Sequence, residues 1–428
     1  MSGSVSGVLP GGFRGVFALG GPALPVIGFM ARLPAALCPI GTLMLVNSRD
    51  GIGEAGAIAA ALWLGQAMGG PVIGRFADRR GHRPVLLAAC AANGLVLVAL
   101  VASVLGGLPA WARVLLAVVA GLTVPQVGPL ARARWVVLAE RRPGGRRALG
   151  AAMSFDTTLD EVSFMVGPAL AGVLALFVHP AGALVLAAGL ILVFGTLFAL
   201  HPTAPGPTLP AVPVAGAGVG ARPRLWSGAL VLLCVMAALQ GAAWSSANTG
   251  VNALADSLGE PGAAGLVWAA MAVTSSIAGF VTVARPGRAD LAVRLRVSIV
   301  AQAVLTLPLL WVSGLVGAAW AVAGLGIAVA PHLITLFGLV ERVGPGPRMG
   351  EAMTMIGSGL ILGQAGAAAL SGPLAAAFGP RAAFVVSCSA VVASAVLAVA
   401  LARGPRLAPR PADAPAHVDR DAPEPASA

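Results

Sequence analysis

The stretch "GRFADRRGHR", Gly74–Arg83, holds five charged residues in ten, in a chain of 428 residues that is only 10% charged. A run without a charged residue stands on either side: "AIAAALWLGQAMGGPVI" (57–73) before it and "PVLLAACAANGLVLVALVASVL" (84–105) after it. Each is close to the roughly 20 mostly apolar residues that a helix needs to cross a bilayer. The charged stretch therefore reads as a short loop between two crossing helices. The rest of the chain agrees. Hydrophobic residues make up 58% of it and the mean hydropathy is +0.90, against roughly 45–50% apolar residues (Gly included) in soluble domains. A soluble protein this apolar could not cover its own surface, so the expected class is an all-α polytopic membrane protein.

The formal charge of +11 does not make this a nucleic-acid binder, because it is spread over short loops with no soluble domain to present it. All 27 basic residues are Arg. Without Lys there is no GxxxxGK[ST] phosphate loop and no Schiff-base lysine, so the chain cannot be its own P-loop ATPase. The Arg, Ala, Gly and Pro load fits a bacterial source. Cys38, Cys90, Cys234 and Cys388 each lie inside an apolar run, without metal-ligand spacing, and read as small core residues. No metal and no bound cofactor is expected.

Spans are expected near 22–46, 55–74, 84–106, 110–134, 148–177 and 180–200, then near 226–250, 261–284, 294–313, 315–340, 351–378 and 381–402. The Pro/Gly/Ala-rich segment 201–225 separates two six-span bundles, 22–200 and 226–403. Residues 1–21 form an N-terminal segment, and the Pro- and charge-rich tail 404–428 is expected to be disordered. The first span is too long for a cleaved signal peptide and is read as retained. With the N-terminus cytoplasmic, 23 arginines fall on cytoplasmic segments and 3 (Arg49, Arg113 and Arg381) on the outside, while Arg32 lies within a span. The positive-inside rule then sets both termini in the cytoplasm of a bacterial inner membrane. A weak repeat relates the halves: "AGLTVPQ" (120–126) and "AGLGIAVAPH" (323–332) both run Ala-Gly-Leu and then reach a Pro followed by a polar residue. Repeated halves are how many transporter folds are built.

With spans, linker and charge map in place, "GRFADRRGHRPVL" resembles the loop 2–3 signature of the major facilitator superfamily, G-x-L-a-D-r-x-G-r-[RK]-x-x-l. Gly74, Asp78, Arg79, Gly81 and Arg83 fall on its key positions, with Phe76 in place of Leu and His82 in place of a basic residue. The resemblance implies twelve helices in two pseudo-symmetric bundles, transport by alternating access, and a role for Asp78 and its arginine neighbours as a cytoplasmic gate near Glu351. A span-5 signature of family exporters, G-x8-G-x3-G-P-x2-G-G, is present in altered form as Ser154, Ser163, Gly167, Pro168, Ala171 and Gly172, each departure being another small residue. It implies helix packing and, by association, antiport. The family's span-4 Arg is missing from its expected place near Ala120.

Charge inside a span costs at least about 2.5 kcal/mol at a helix centre, so it marks function. Arg32 sits ten residues into the first span, about 15 Å deep at 1.5 Å per residue. It needs a carboxylate or an anionic substrate, or else it snorkels to the interface. Asp156 and Asp160 lie four apart on one face of span 5, with Ser163 and Gly167 continuing that face and Glu161 about 100° away. Two desolvated carboxylates at that spacing should share a proton unless Arg32 compensates. Arg32, Asp156, Asp160 and Glu161 are thus candidates for proton coupling, or a static ion cluster. Gln240, Trp244 and Asn248, at i, i+4 and i+8 of span 7, form a polar stripe that faces a cavity or another helix. Gln126 and His332 follow prolines in spans 4 and 10 and complete the candidate cavity set.

The expectation is a secondary transporter and not an enzyme, since no HExxH, GxSxG or CxxC motif occurs. Its energy source would be the proton gradient and its partners a small organic substrate and the bilayer, with no nucleic acid; the chain is expected to act as a monomer. Proton-coupled efflux leads. Proton-coupled uptake is the alternative, and a membrane sensor the third reading.

Overall fold

The structure, a computed structural model, describes residues 12–50, 52–143, 145–207, 225–260, 263–284 and 290–401. Most of the linker segment (208–224), the tail and the first 11 residues lie outside that set. All regular structure among the described residues is helical. The first half comprises α1 (Gly12–Gly20), α2 (Ala23–Asp50), α3 (Ile52–Arg80), α4 (His82–Leu105), α5 (Ala110–Thr123), α6 (Val127–Glu140), α7 (Gly145–Phe177), α8 (Gly182–Leu190) and α9 (Thr196–Leu200), the last two joined by a π-helical turn at Ile191–Gly195. The second half comprises α10 (Gly228–Ser257), α11 (Ala264–Ala284), α12 (Leu291–Thr306), α13 (Leu315–Val343), α14 (Met349–Phe378) and α15 (Pro380–Leu401).

Eleven helical stretches among the described residues are long and apolar enough to cross a membrane, where the sequence predicts twelve. The span expected at 148–177 falls on α7, which is 33 residues long. It holds Asp156, Asp160 and Glu161 in its middle and is not among the eleven. The span expected at 110–134 is two helices. It breaks at Val124–Gln126, where Pro125 cannot donate to the ladder, and then runs on to Glu140. Backbone freed inside a membrane must find other partners. Here Asn93 of α4 donates to Ala120 O at 2.6 Å and Gln126 donates to Val124 O at 3.1 Å. The extension changes where two arginines lie. Arg132 and Arg134, expected on a cytoplasmic loop, are both buried within α6.

The halves are packed alike. In the first, Gly121 of α5 lies so close to α3 that a Cβ would overlap the carbonyl of Leu62; in the second, Gly326 of α13 stands in the same relation to Met271 of α11. Both glycines lie in the two repeat segments read from sequence, and close backbone approach at small residues is what holds helices together in lipid.

The apolar core has two regimes along the helix axes. At the end bearing the Arg-rich connections, a single continuous cluster takes in α1, the starts of α7, α10 and α14 and the end of α13. At the opposite end it splits into one cluster for each half. The apolar cores of the two halves are continuous at one end and separate at the other. Helix α1 belongs to the joined end. It falls in the segment read as a simple terminus, but Val16 and Leu19 are fully buried and Phe17 meets Phe155 edge-on at 6.3 Å.

Candidate functional site

Three helices of the first half converge on one charged cluster. From α2, beside Pro34, comes Arg32; from α6, past the break at Pro125, come Arg132 and Trp135; from α7 come Asp156 and Asp160, one helical turn apart. Arg32 Nη2 donates to Asp156 Oδ1 at 2.5 Å and Arg32 Nε lies 2.9 Å from Asp160 Oδ1. Arg132 Nη2 pairs with Asp160 Oδ2, and its Nε lies 3.6 Å from Asp156 Oδ2. Trp135 Nε1 adds a hydrogen bond to Asp156 Oδ1 at 3.0 Å. Two guanidiniums and two carboxylates thus close a ring of zero net charge. Gly128 makes room for it, since a Cβ there would come within 2.8 Å of the Asp160 carboxylate.

The sequence offered Arg32 alone as partner for both carboxylates. The second cation was missed because the "ARAR" motif at 131–134 lies at the end of the apolar run and reads as loop charge. Arg132 also stacks on Phe337 of α13, its guanidinium carbon 3.8 Å from the ring centroid. The signal that could have found it is its distance from the break: Arg132 is seven residues past Pro125, still within helical reach of span 5.

The ring borders a cavity of about 110 Å³ between the two halves. Asp160 faces it with 21% of its side chain exposed, against 3% for Asp156. Arg32, Arg132, Glu161, Gln126 and Trp244 line it too, as do Gln66, Thr157, Phe164 and Phe337, none of which stood out in the sequence. Glu161 is held differently from the aspartates. Ser275 of α11 donates to its Oε2 at 2.6 Å, its Oε1 has no hydrogen-bond partner, and no ion pair reaches it among the described residues.

Three residues of the expected cavity set lie elsewhere. Gln240 is buried inside the second half, where its Oε1 accepts from Gln302 of α12 at 3.0 Å. Asn248 accepts from Asn252 at 3.0 Å on its own helix, one turn further along the same stripe. His332 is fully buried in α13, with no hydrogen-bond partner on either ring nitrogen, and is not on the cavity wall. Only Trp244 of the span-7 stripe reaches the cavity. The span-5 small residues pack unequally. Gly167 abuts Ala36 of α2, Ser154 and Ser163 bond back to carbonyls of their own helix at 2.9 and 2.7 Å, and Gly172 faces open space; the Pro168 side chain lies outside the described set.

At the joined end, Asp78 accepts from the backbone N–H of Gly350 at 3.0 Å and of Glu351 at 2.9 Å, across the two halves and at the first turn of α14. A carboxylate there meets both unpaired donors and the positive end of a helix dipole. Gly74 lets α3 lie against Gly350 and Thr354. Gly81 turns the chain at φ +88°, where His82 N–H donates to Pro205 O at 3.1 Å. Arg79 and Arg83 are exposed, and Glu351 is paired with Arg348 at 2.7 Å, not with an arginine of the motif.

Comparison with known proteins adds the family. Residues 26–346 match the Major Facilitator Superfamily. No curated protein matches the chain. Among solved structures, the human organic anion transporter MFSD10 superposes with a TM-score of 0.64 at 16% identity, over 90% of this chain and 99% of that one. The E. coli fucose:proton symporter FucP gives 0.63 at 14% identity, over 90% and 97%. A bacterial homologue of the iron transporter ferroportin, in an outward-facing state, gives 0.66 at 15% identity, over 90% and 99%. These likenesses concern the fold, and the sequence match covers about three quarters of the chain: the protein belongs to the Major Facilitator Superfamily, a family of membrane transporters and not of enzymes.

Proposed function

We propose that the chain takes up a small organic molecule together with a proton, by alternating access between two six-helix bundles, 22–200 and 226–403, with α7 as the twelfth crossing helix. The observation that carries this is the ring of Arg32, Arg132, Asp156 and Asp160 on the cavity wall. Ion pairs this buried are costly unless they serve a purpose, and a carboxylate that opens on the cavity can exchange a proton with it. Asp160 and Glu161 are the proton-binding groups in this reading, Arg32 and Arg132 the groups that answer to their charge, and Asp78 with Gly74 and Gly81 the gate.

Uptake ranks ahead of the efflux expected from the span-5 pattern. Proton antiport works most simply when substrate and proton compete for one carboxylate, which calls for a cationic substrate. Two guanidiniums already hold both aspartates, so Glu161, held by Ser275 alone among the described residues, is the one cavity carboxylate left for a cation. The span-5 residues pack α7 on α2, a role that fits either direction. A fucose:proton symporter with the same fold supports the reading. With both termini cytoplasmic, the joined end faces the cytoplasm of a bacterial inner membrane.

The test is uptake into proteoliposomes carrying an internal pH-sensitive dye, with a panel of charged and neutral compounds. Symport acidifies the lumen when substrate is added outside. Alkalinisation marks antiport, and no pH change with any transported compound removes proton coupling.

A further inference from the structure

Six residues that line the cavity each carry a buried polar atom with no hydrogen-bond partner: Gln66 Oε1, Thr157 Oγ1, Glu161 Oε1, Trp244 Nε1, and the Nε of Arg32 and Arg132, these last two lying within ion-pair distance of the aspartates. Buried polar groups are normally satisfied by protein or by ordered water, so these residues make the cavity the part of the bundle with the most polar capacity left unused. The remaining wall is largely apolar, with Phe164, Leu333, Phe337, Leu360 and Ile361 facing inward. The part contributed by α10, α13 and α14 carries no charged residue.

Charge decides the class. The ring is neutral as it stands. With Glu161 holding a proton, as one of the proton-binding groups above, a cation added beside two guanidiniums leaves a net positive charge in an apolar site, and an anion added alone leaves a net negative one. An anion that arrives as Asp160 takes up a proton leaves the site neutral. Asp160 is the member that faces the cavity. The charged groups around it are Arg32 on α2, Arg132 on α6, and Asp156 and Glu161 on α7; α11 presents the hydroxyl of Ser275, and α13 the ring of Phe337. Once protonated, Asp160 releases the Arg32 Nε and Arg132 Nη2 positions it now holds. Arg132 has one face covered by Phe337, so its edge is the part left to a ligand, and the edge of a guanidinium matches the two oxygens of a carboxylate. A cavity of about 110 Å³, at roughly 10–15 Å³ per water, holds on the order of eight waters, the bulk of about a dozen non-hydrogen atoms.

Building on the proton-coupled reading above, we propose that the substrate is an organic monocarboxylate with an aromatic or otherwise apolar body of about a dozen non-hydrogen atoms, bound edge-on to Arg132 and Arg32 and carried with one proton on Asp160. The proton comes from the side on which the anion enters. It leaves as Asp160 closes the ring again and displaces the anion on the other side. Each cycle moves no net charge.

The test uses the purified full chain with three probes of one shape: 3-phenylpropanoate, its amide, and 3-phenylpropylammonium. Binding is followed by calorimetry in two buffers of different ionisation heat, which counts the protons taken up. The carboxylate should bind with one proton absorbed and bind more weakly as pH rises, while the amide and the ammonium should not bind. Asp160→Asn should bind the carboxylate at least as tightly as the unaltered chain and with no pH dependence. A misfolded variant could not do this, and if the variant fails to fold the proton count of the unaltered chain decides alone. Preferential binding of the ammonium, or failure of the carboxylate to bind at all, overturns the monocarboxylate class. Uptake of any panel compound with luminal acidification would still leave the proton-coupled reading standing. Carboxylate binding with no proton absorbed overturns both.

Discussion

In the first half, two arginines and two aspartates close a ring deep inside the helix bundle. In the second half, by contrast, every Arg, Asp and Glu of α10–α15 lies within about two turns of a helix end. The buried polar contacts of the second half are neutral ones: Gln240 with Gln302 at 3.0 Å, Ser246 with Ser371 at 2.7 Å, and Ser387 with Ala243 O at 2.9 Å. The halves share a packing scheme and divide the chemistry. Each ion pair described above lies within one half. What crosses between them is lighter: a hydrogen bond from Ser275 to Glu161, the stack of Arg132 on Phe337, and the Asp78 contact with α14. The wall of the cavity is accordingly charged on the side of the first half and neutral on the side of the second.

The strongest way to break this contrast is to remove one charge from the ring and one amide from the other half. Asp156→Leu leaves Arg32 and Arg132 sharing one carboxylate in a buried site, and should cost about 3–5 kcal/mol, the usual penalty for stranding one partner of a buried pair. Gln240→Leu removes an interhelical amide contact and should cost about 0.6 kcal/mol, the average for such bonds in a membrane bundle. Thermal unfolding in one detergent measures both. Equal losses would mean that the ring is no more than packing.

Next in size is the contact that joins the halves. Asp78→Asn exchanges two charge-assisted hydrogen bonds for weaker ones, and such bonds are worth about 1.5–3 kcal/mol each. The loss of roughly that amount from the joined state should raise the population open at the Arg-rich end by at least about tenfold. Thiol labelling of a cysteine placed at residue 354, in a chain otherwise free of cysteine, reads that population. Unchanged labelling would show that apolar packing alone holds the end shut.

How much of this was legible in advance follows from what a sequence pattern encodes. Helix-length apolar runs gave the bundle architecture, because spanning a bilayer imposes a minimum length, and the 74–83 loop gave the family. Arg32, Asp156 and Asp160 were legible because charge inside an apolar run is rare enough to stand out. Arg132 was not, because a proline break shifted the end of span 4 by several residues and so moved an apparent loop charge into the core. The polar stripe of span 7 misled for a related reason. Periodicity says that Gln240, Trp244 and Asn248 share a face, but only packing decides which part of that face meets α12 and which meets the cavity. The missing twelfth span has the same origin as the site itself, since the carboxylates that make α7 a candidate site also make it the least hydrocarbon-like of the long helices.

A smaller effect is expected where the charged half touches the neutral one. Ser275→Ala removes the single hydrogen bond on Glu161 and should cost about 1 kcal/mol. If Glu161 carries a proton, the pH profile of uptake should shift; in a Glu161→Gln chain with an intact folded fraction on size exclusion, Ser275→Ala should no longer shift it. A Ser275→Ala chain with an unaltered profile would confine Glu161 to packing.

The smallest effect tests the other side of the contrast, at the one ion pair that joins two helices of the second half among those described. Asp290 caps α12 and accepts from Arg342 at 2.8 Å, with side chains 57% and 40% exposed. The hydrogen bond from Arg342 holds the Asp290 carboxyl below its ordinary value, partly offset by burial. Because its folded value is the lower one, its contribution is full above the ordinary carboxylate range, near pH 4, and fades as pH falls through the folded value. Exposure and screening keep that contribution under about 0.5 kcal/mol. Asp290→Asn should therefore leave unfolding at pH 7 almost unchanged, and 0.5 M salt should erase what difference there is. A loss comparable to that of Asp156→Leu would mean that the second half also depends on its charges, and the division of chemistry between the halves would fail.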